Sequence, residues 1–299
     1  MKTLKYLIGR NIKLFFKDKG LFFTALITPL ILLVLYVTFL GNVYRDAFLS
    51  IFPQEFVMEE TLIGGFVGGQ LISSLLAVCC VTVAFCSNML MVQDKINGAK
   101  ADFDIAPVKG SMLAFGYYIA TLFSTLMICL VALAAGLVYL SAVGFYLSAV
   151  DVLLLIFDVI LLVMFGTALS SVVNFFLSSQ GQVSAVGTIV SSGYGFICGA
   201  YMPISQFSEG LQTVISFLPG TYATALLRNH CMRGIYNELG SLGISDEWIT
   251  SIRDSVDCNL YFFGEKVSEA TMYAVVVIAA AVLIAGYIAL HLALKKRAH

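Results

Sequence analysis

From Gly110 to Val150 not one side chain is charged, and the same holds from Thr61 to Gln93 and from Val159 to Ser208. A helix needs ~20 apolar residues to cross the ~30 Å hydrocarbon layer of a bilayer, and each of these stretches is longer. Such runs do not fit around one water-facing core. The chain is 60% hydrophobic and 12% charged, with a mean hydropathy of +0.94, against about 45–50% and about 25% in soluble domains. Lipid must therefore act as solvent, and only helices and closed barrels satisfy their backbone polar groups there. The runs are continuous rather than alternating, which selects helices over a barrel. The sequence reads as an all-α, polytopic membrane protein. A net charge of −1 excludes nucleic-acid binding as a global property.

Residues 1–20 come first. At 100° per residue Leu4, Leu7, Ile8, Ile12, Leu14 and Phe15 share one arc, and Lys2, Arg10, Lys13 and Lys17 the opposite one. That pattern predicts an amphipathic helix in the membrane interface. The polar n-region and the following apolar run are both too long for a signal peptide. Spans are expected over 21–40 (with Pro29 inside), 61–92, 111–140, 149–176, 183–201 and 270–294. Polar segments separate them: 42–60 with Arg45, Asp46, Glu55, Glu59 and Glu60; the charged stretch 93–110; and a long stretch of mixed charge from Pro219 to about 268. Gly64, Gly65, Gly68 and Gly69 open the second span and allow close helix contact. Pro203 breaks the fifth, and 204–219 is only half apolar.

Six spans place both termini on one side. With the termini inside, twelve of the seventeen basic residues are cytoplasmic, which satisfies the positive-inside rule. A seventh span through 204–219 would put Lys295, Lys296 and Arg297 outside, so 203–219 fits better as a re-entrant pair of half-helices. The expected organisation is an elbow helix at 1–20, a six-span domain at 21–294 and a cytoplasmic tail at 295–299, in the plasma membrane. Within the six-span domain lie a cytoplasmic loop at 93–110, a re-entrant outer element at 203–219 and an extracellular subdomain at 220–268.

Three segments carry a family resemblance. Residues 197–228 hold Gly199, Tyr201, Pro203, Ile204, Pro219, Thr221, Tyr222 and Arg228 in order. The loop after the second span holds Asp94, Gly98 and Pro107. The N-terminal helix holds Arg10, Asn11, Phe15 and Asp18 ahead of Pro29. In this pattern the chain resembles the type-2 ABC transporter permeases, membrane subunits of ATP-driven exporters. The loop departs from the family at Ile96, Ala99 and Ala101.

The resemblance implies a loop that docks on an ATPase subunit, through Asp94, Lys95, Gly98, Asp102, Phe103 and Pro107 together with Arg10 and Lys17. It implies an outer gate at Tyr201, Pro203, Pro219, Tyr222 and Arg228, and a pathway lined by spans one, two and five. It also implies partners: an ABC ATPase and a second permease, identical or paralogous. The chain has no Walker-type phosphate loop, so ATP and magnesium belong to the partner subunit. LSSQGQ at 177–182 sits between two apolar spans, with no room for a nucleotide domain.

Asp151 and Asp158 lie seven residues apart on one face of the fourth span. Asp151 reads as an interfacial residue. Asp158 lies two turns deeper, where an ionisable group is costly and often functional: protonated, paired with a polar neighbour, or part of a proton path. His230, His291 and His299 show no partner in sequence. Five cysteines fall in apolar runs, where a thiol acts as a small hydrophobe. Cys231 and Cys258 fall outside them, so a disulfide is expected to close a loop of roughly 28 residues, contributing about 3 kcal/mol. A helix capped by Ser245, with Asp246 and Glu247 in its first turn and Trp248, Ile252 and Val256 on one face, is expected nearby.

The reading is a permease that passes a hydrophobic or amphipathic substrate (drug, antimicrobial peptide or lipid) and is not itself an enzyme. The rival is a secondary transporter coupled to protons through Asp158. A membrane-embedded enzyme lacks any intramembrane cluster of His, Asp and Ser.

Overall fold

The computed structural model describes residues 2–51, 58–106 and 108–297. Glu55, Pro107 and His299 lie outside the described residues, as do the side chains of Lys295, Lys296 and Arg297. The fold is nearly all helix: α1 (Lys2–Lys17), α2 (Lys19–Leu35), a π-helical turn (Tyr36–Leu40), α3 (Gly41–Ser50), α4 (Glu60–Ile96), α5 (Ala99–Ile105), α6 (Gly110–Val143), α7 (Ala149–Phe175), α8 (Gln180–Ile197), α9 (Glu209–Ile215), α10 (Pro219–Ser241), α11 (Asp246–Ser255) and α12 (Glu269–Arg297). A two-stranded hairpin pairs Tyr261 with Lys266 and Phe262 with Glu265.

Local chemistry sets several boundaries. Asp18 caps α2 by accepting from the Leu21 amide at 3.1 Å. Ser148 and Asp151 form a capping box on α7, and Ser179 and Gln182 one on α8. Gly98 ends α4 in the left-handed region, φ +80°. Pro219 occupies the first turn of α10, where its missing N–H costs nothing.

Among the described residues five helical stretches are long and apolar enough to cross a membrane: Lys19–Ser50, Glu60–Ile96, Gly110–Val143, Ala149–Phe175 and Glu269–Leu292. Their bounds follow the expected spans closely. The first runs further than expected, because the helix continues through Arg45 and Asp46 to Ser50. The fifth expected span is shorter: α8 stops at Ile197 and is rich in Ser, Thr and Gly.

α4 is the central helix, packed against α2, α6, α7, α8 and α10. Small residues bring the backbones together. A Cβ on Gly64 would lie 2.5 Å from the Val143 carbonyl oxygen, one on Gly166 2.8 Å from that of Cys80, and one on Gly234 1.8 Å from that of Tyr146. Contacts fix the directions. Asp94 meets Tyr117 while Gly64 meets Val143, so α6 runs antiparallel to α4. Ser74 meets Arg228 while Gly69 meets Met232, so α10 does too.

The stretch 219–241 corrects the sequence reading. It was expected to begin an external polar subdomain, yet it is a 23-residue helix buried in the bundle against α4, α7 and α12. Its polar side chains from Thr221 to His230 are paired inside the protein rather than hydrated. A Cβ on Gly220 would lie 2.6 Å from the Tyr194 hydroxyl, so α10 starts beside the last turns of α8. The expected helix after Ser245 is present as α11, with Ile252 and Val256 buried. The Ser245 side chain makes no cap hydrogen bond.

Candidate functional site

A groove of about 1240 Å³ opens between α2–α3 and α8. Thr24, Ile27, Thr28, Ile31 and Leu35 form one wall, at the spacing of a single helix face. Ser184, Gly187, Thr188, Ser191 and Ser192 of α8 form the other, with Met89 and Gln93 of α4 also lining it. Thr188 donates to the Ser184 carbonyl at 2.9 Å and Ser192 to that of Thr188 at 2.7 Å. These hydroxyls spend their protons on their own helix, so the α8 wall is only weakly polar. No charged side chain is among the described residues that line the groove. Ile31 is 53% exposed and Phe39 62%. The π-helical turn lies in this wall and stacks Tyr36 on Tyr44, centroids 5.5 Å apart.

The residues expected to form an outer gate separate into three settings. Tyr201 and Pro203 line one end of the groove, with the Tyr201 ring edge-on to Phe196 at 5.1 Å. Gly195 makes room for that ring, since a Cβ there would lie 2.3 Å from it. Tyr222 donates to the Ser216 carbonyl at 2.5 Å and lines a separate cavity of about 400 Å³, and Pro219 starts α10. Arg228 is a buried brace. Its Nη1 donates to the Val256 carbonyl at 3.1 Å and to Asp257 at 3.3 Å, and Nη2 to Ser74 and to the Gly199 carbonyl. Asp257 takes φ +54°, a conformation that Asp tolerates better than most residues. From there its carboxylate accepts from both Arg228 and the Ile204 amide, the latter at 2.7 Å. Burial pushes the Asp257 carboxyl up, and Arg228 and that amide pull it down.

At the opposite end of α4, residues expected to grip an ATPase divide in two. Asp94 and Lys95, expected among the docking groups, are engaged within the chain. Arg10 clamps Asp94 through two bonds of 2.5 and 2.9 Å, and Tyr117 donates to it at 2.5 Å. The Asp94 bond raises the Arg10 guanidinium above its ordinary range, so it is charged at every accessible pH. Lys95 caps α7, donating to the carbonyls of Asn174, Phe175 and Leu177 at 3.2, 2.7 and 3.0 Å. Phe103 lies under Arg10, 5.2 Å from guanidinium to ring. Asp102 and Lys17 are exposed, and Ile105 is 86% exposed at the tip of α5.

Asp158 is buried and paired. His230 Nδ1 lies 2.5 Å from its Oδ2, and Tyr273 donates to Oδ1 at 2.6 Å. Asp151, expected at an interface, is also buried, with Arg233 Nη1 at 3.3 Å.

The sequence model of the ABC-2 type transporter family matches residues 2–230. The chain belongs to that family. A search of curated proteins returns no match. An ABC-2 permease is a membrane transport component whose ATPase activity resides on a separate subunit. The chain is accordingly a multi-pass membrane protein, and its family implies an ATPase partner. The matched region takes in α1 to the middle of α10, hence the groove apart from Ser255 and Val256, the α5 end and Arg228.

Two readings of this ABC-2 permease need correction. His230, expected to be an unpartnered loop residue, is the partner of Asp158. A helical reading of 219–241 would have placed His230 and Arg233 on one face, as Asp151 and Asp158 are. Cys231 and Cys258 are free thiols, not the expected disulfide. Both are buried, and Cys258 sits 3.3 Å from the Tyr236 hydroxyl, packed as a small apolar group.

Proposed function

We propose that this ABC-2 permease is the membrane subunit of an ATP-driven exporter for hydrophobic or amphipathic cargo. The uncharged groove between α2 and α8 carries the reading. A lipid-like or drug-like molecule loses no hydration of ionic groups there, whereas a strongly anionic cargo would meet no counter-charge. The groove's open side is where a second permease completes the pathway. The chain is read as crossing six times: through the five membrane-length helical stretches, and through α8 with α10 continuing beyond it. Both termini are cytoplasmic by the charge rule, in the plasma membrane. The exposed tip of α5, with Asp102 and Ile105, is the surface offered to the ATPase. Residues 203–219 form the outer gate, tied down by Arg228.

The test is uptake by inside-out vesicles containing the permease and its ATPase, with neutral, amphipathic and multiply anionic fluorescent cargos. The first two should accumulate on addition of ATP, and Ser184→Asp with Thr188→Asp should abolish that accumulation. Preferential uptake of the anionic cargo would overturn the reading.

A further inference from the structure

Away from the groove, α7, α10 and α12 bring ionisable side chains together in two layers. Asp151 of α7, Arg233 of α10 and Glu269 of α12 make the first, with Arg233 Nη1 3.3 Å from Asp151 and Nη2 3.6 Å from Glu269. Arg233 and Glu269 are 34% and 44% exposed, so this layer touches solvent. Seven residues along α7, about 10 Å at 1.5 Å per residue, lies the second. There the side chains of His230 and Asp158 are 1% and 2% exposed. The His230 ring stacks on Tyr273 at 6.4 Å and 25°.

The fixed charges do not balance. Asp151, Asp158 and Glu269 are acids, and Arg233 is the one permanently charged cation among them. The neighbouring elements add none. α4 has no charged residue between Glu60 and Asp94, and α6 has none from Gly110 to Val143. Cys231 contributes only a thiol. On α11, Arg253 is turned to Asn229 and over the Tyr236 ring. On α10 itself, Arg228 is turned to Asp257 and Gly199. An imidazole nitrogen 2.5 Å from a carboxylate oxygen requires a proton between them, because two lone pairs at that distance repel.

We infer that Asp158 and His230 form a proton-binding site inside the helix bundle, open to water through the layer of Asp151, Arg233 and Glu269. One proton is held between Asp158 Oδ2 and His230 Nδ1, and Tyr273 supplies a second donor to the same carboxylate. The two side chains then share that proton as one unit. This site stands apart from the groove and does not depend on what the groove carries.

The experiment uses the purified full-length permease in lipid nanodiscs. Ring-nitrogen NMR of labelled histidine reports His230, assigned by Gln substitution of each of the three histidines. Infrared difference spectra report the Asp158 carboxyl. Both probes should show a single transition at one shared pH. Asp158→Asn should abolish it in the His230 signal, and His230→Gln in the carboxyl band. Two transitions at different pH values, or none in either probe over the range in which the protein stays folded, would overturn the assignment. Should either variant fail to fold, the wild-type comparison of the two probes decides the matter alone.

Discussion

Arg228 of α10 and Asp257, just past α11, form an ion pair sealed from solvent: Nη1 lies 3.3 Å from Oδ2, and the side chains are 1% and 7% exposed. The pair joins the segment after α8, through Gly199 and Ile204, to the segment after α11. Removing one partner of such a pair strands a buried charge, at a cost of about 3–5 kcal/mol. Asp257→Ala should therefore lower stability by that amount. Asp257→Asn, which keeps an acceptor for the Ile204 amide, should cost less. Thermal unfolding in detergent micelles ranks the two, and equal midpoints would argue against the brace.

Close backbone approach makes Gly234 irreplaceable. An added Cβ would meet the Tyr146 carbonyl oxygen at 1.8 Å, and neither backbone can yield without separating α10 from the α6–α7 connection. Gly234→Ala should cost on the order of 3 kcal/mol, at the upper end for single substitutions. Gly210, with open space around its Cα, should accept Ala within about 0.5 kcal/mol. The same unfolding assay compares them.

Arg10 and Asp94 hold α1 against the end of α4. A double-mutant cycle with Arg10→Ala and Asp94→Ala should give a coupling of about 1–3 kcal/mol, the range for hydrogen bonds to charged groups and for contacting residues. Asp102→Ala, on the exposed face of α5, should leave the unfolding midpoint within about 0.5 kcal/mol of wild type. Loss of ATPase association in the Asp102 variant alone separates docking from folding.

Much of this fold is legible in the sequence, because long uncharged runs have only one solvent available to them. The five helical stretches long enough to cross a membrane appear within a few residues of their expected places, apart from the extension to Ser50. α10 is the exception, for a physical reason. Arg228, Asn229, His230 and Arg233 give it the composition of a hydrated segment, and only tertiary pairing with Asp257, Cys258, Asp158 and Asp151 makes its burial tolerable. The site was legible in the same proportion. Asp158 stood out because it interrupts an apolar run. His230 did not, because its helix was not recognised. The partners of Asp94 were not legible, since spacing cannot show that Arg10 and Tyr117 bond its oxygens.

The thiols give an independent check on the packing of α10. Cys231 and Cys258 are 2% and 1% exposed, so neither should react with an impermeant maleimide in the folded protein. After denaturation without reductant both should alkylate fully. A disulfide-linked peptide in non-reduced digests would show that this end of the helix bundle packs differently.

The central claim is that this permease works through an ATPase docked on α5. Affinity capture of the tagged chain from its native membranes, with ATP hydrolysis measured in the eluate, tests it most directly. The account predicts that an ABC ATPase co-elutes with the wild type, and that Ile105→Asp, at the exposed tip of α5, removes both the subunit and the activity while the chain still inserts and folds. A chain that elutes without an ATPase, or an Ile105→Asp variant that retains it at the wild-type level, would contradict the account.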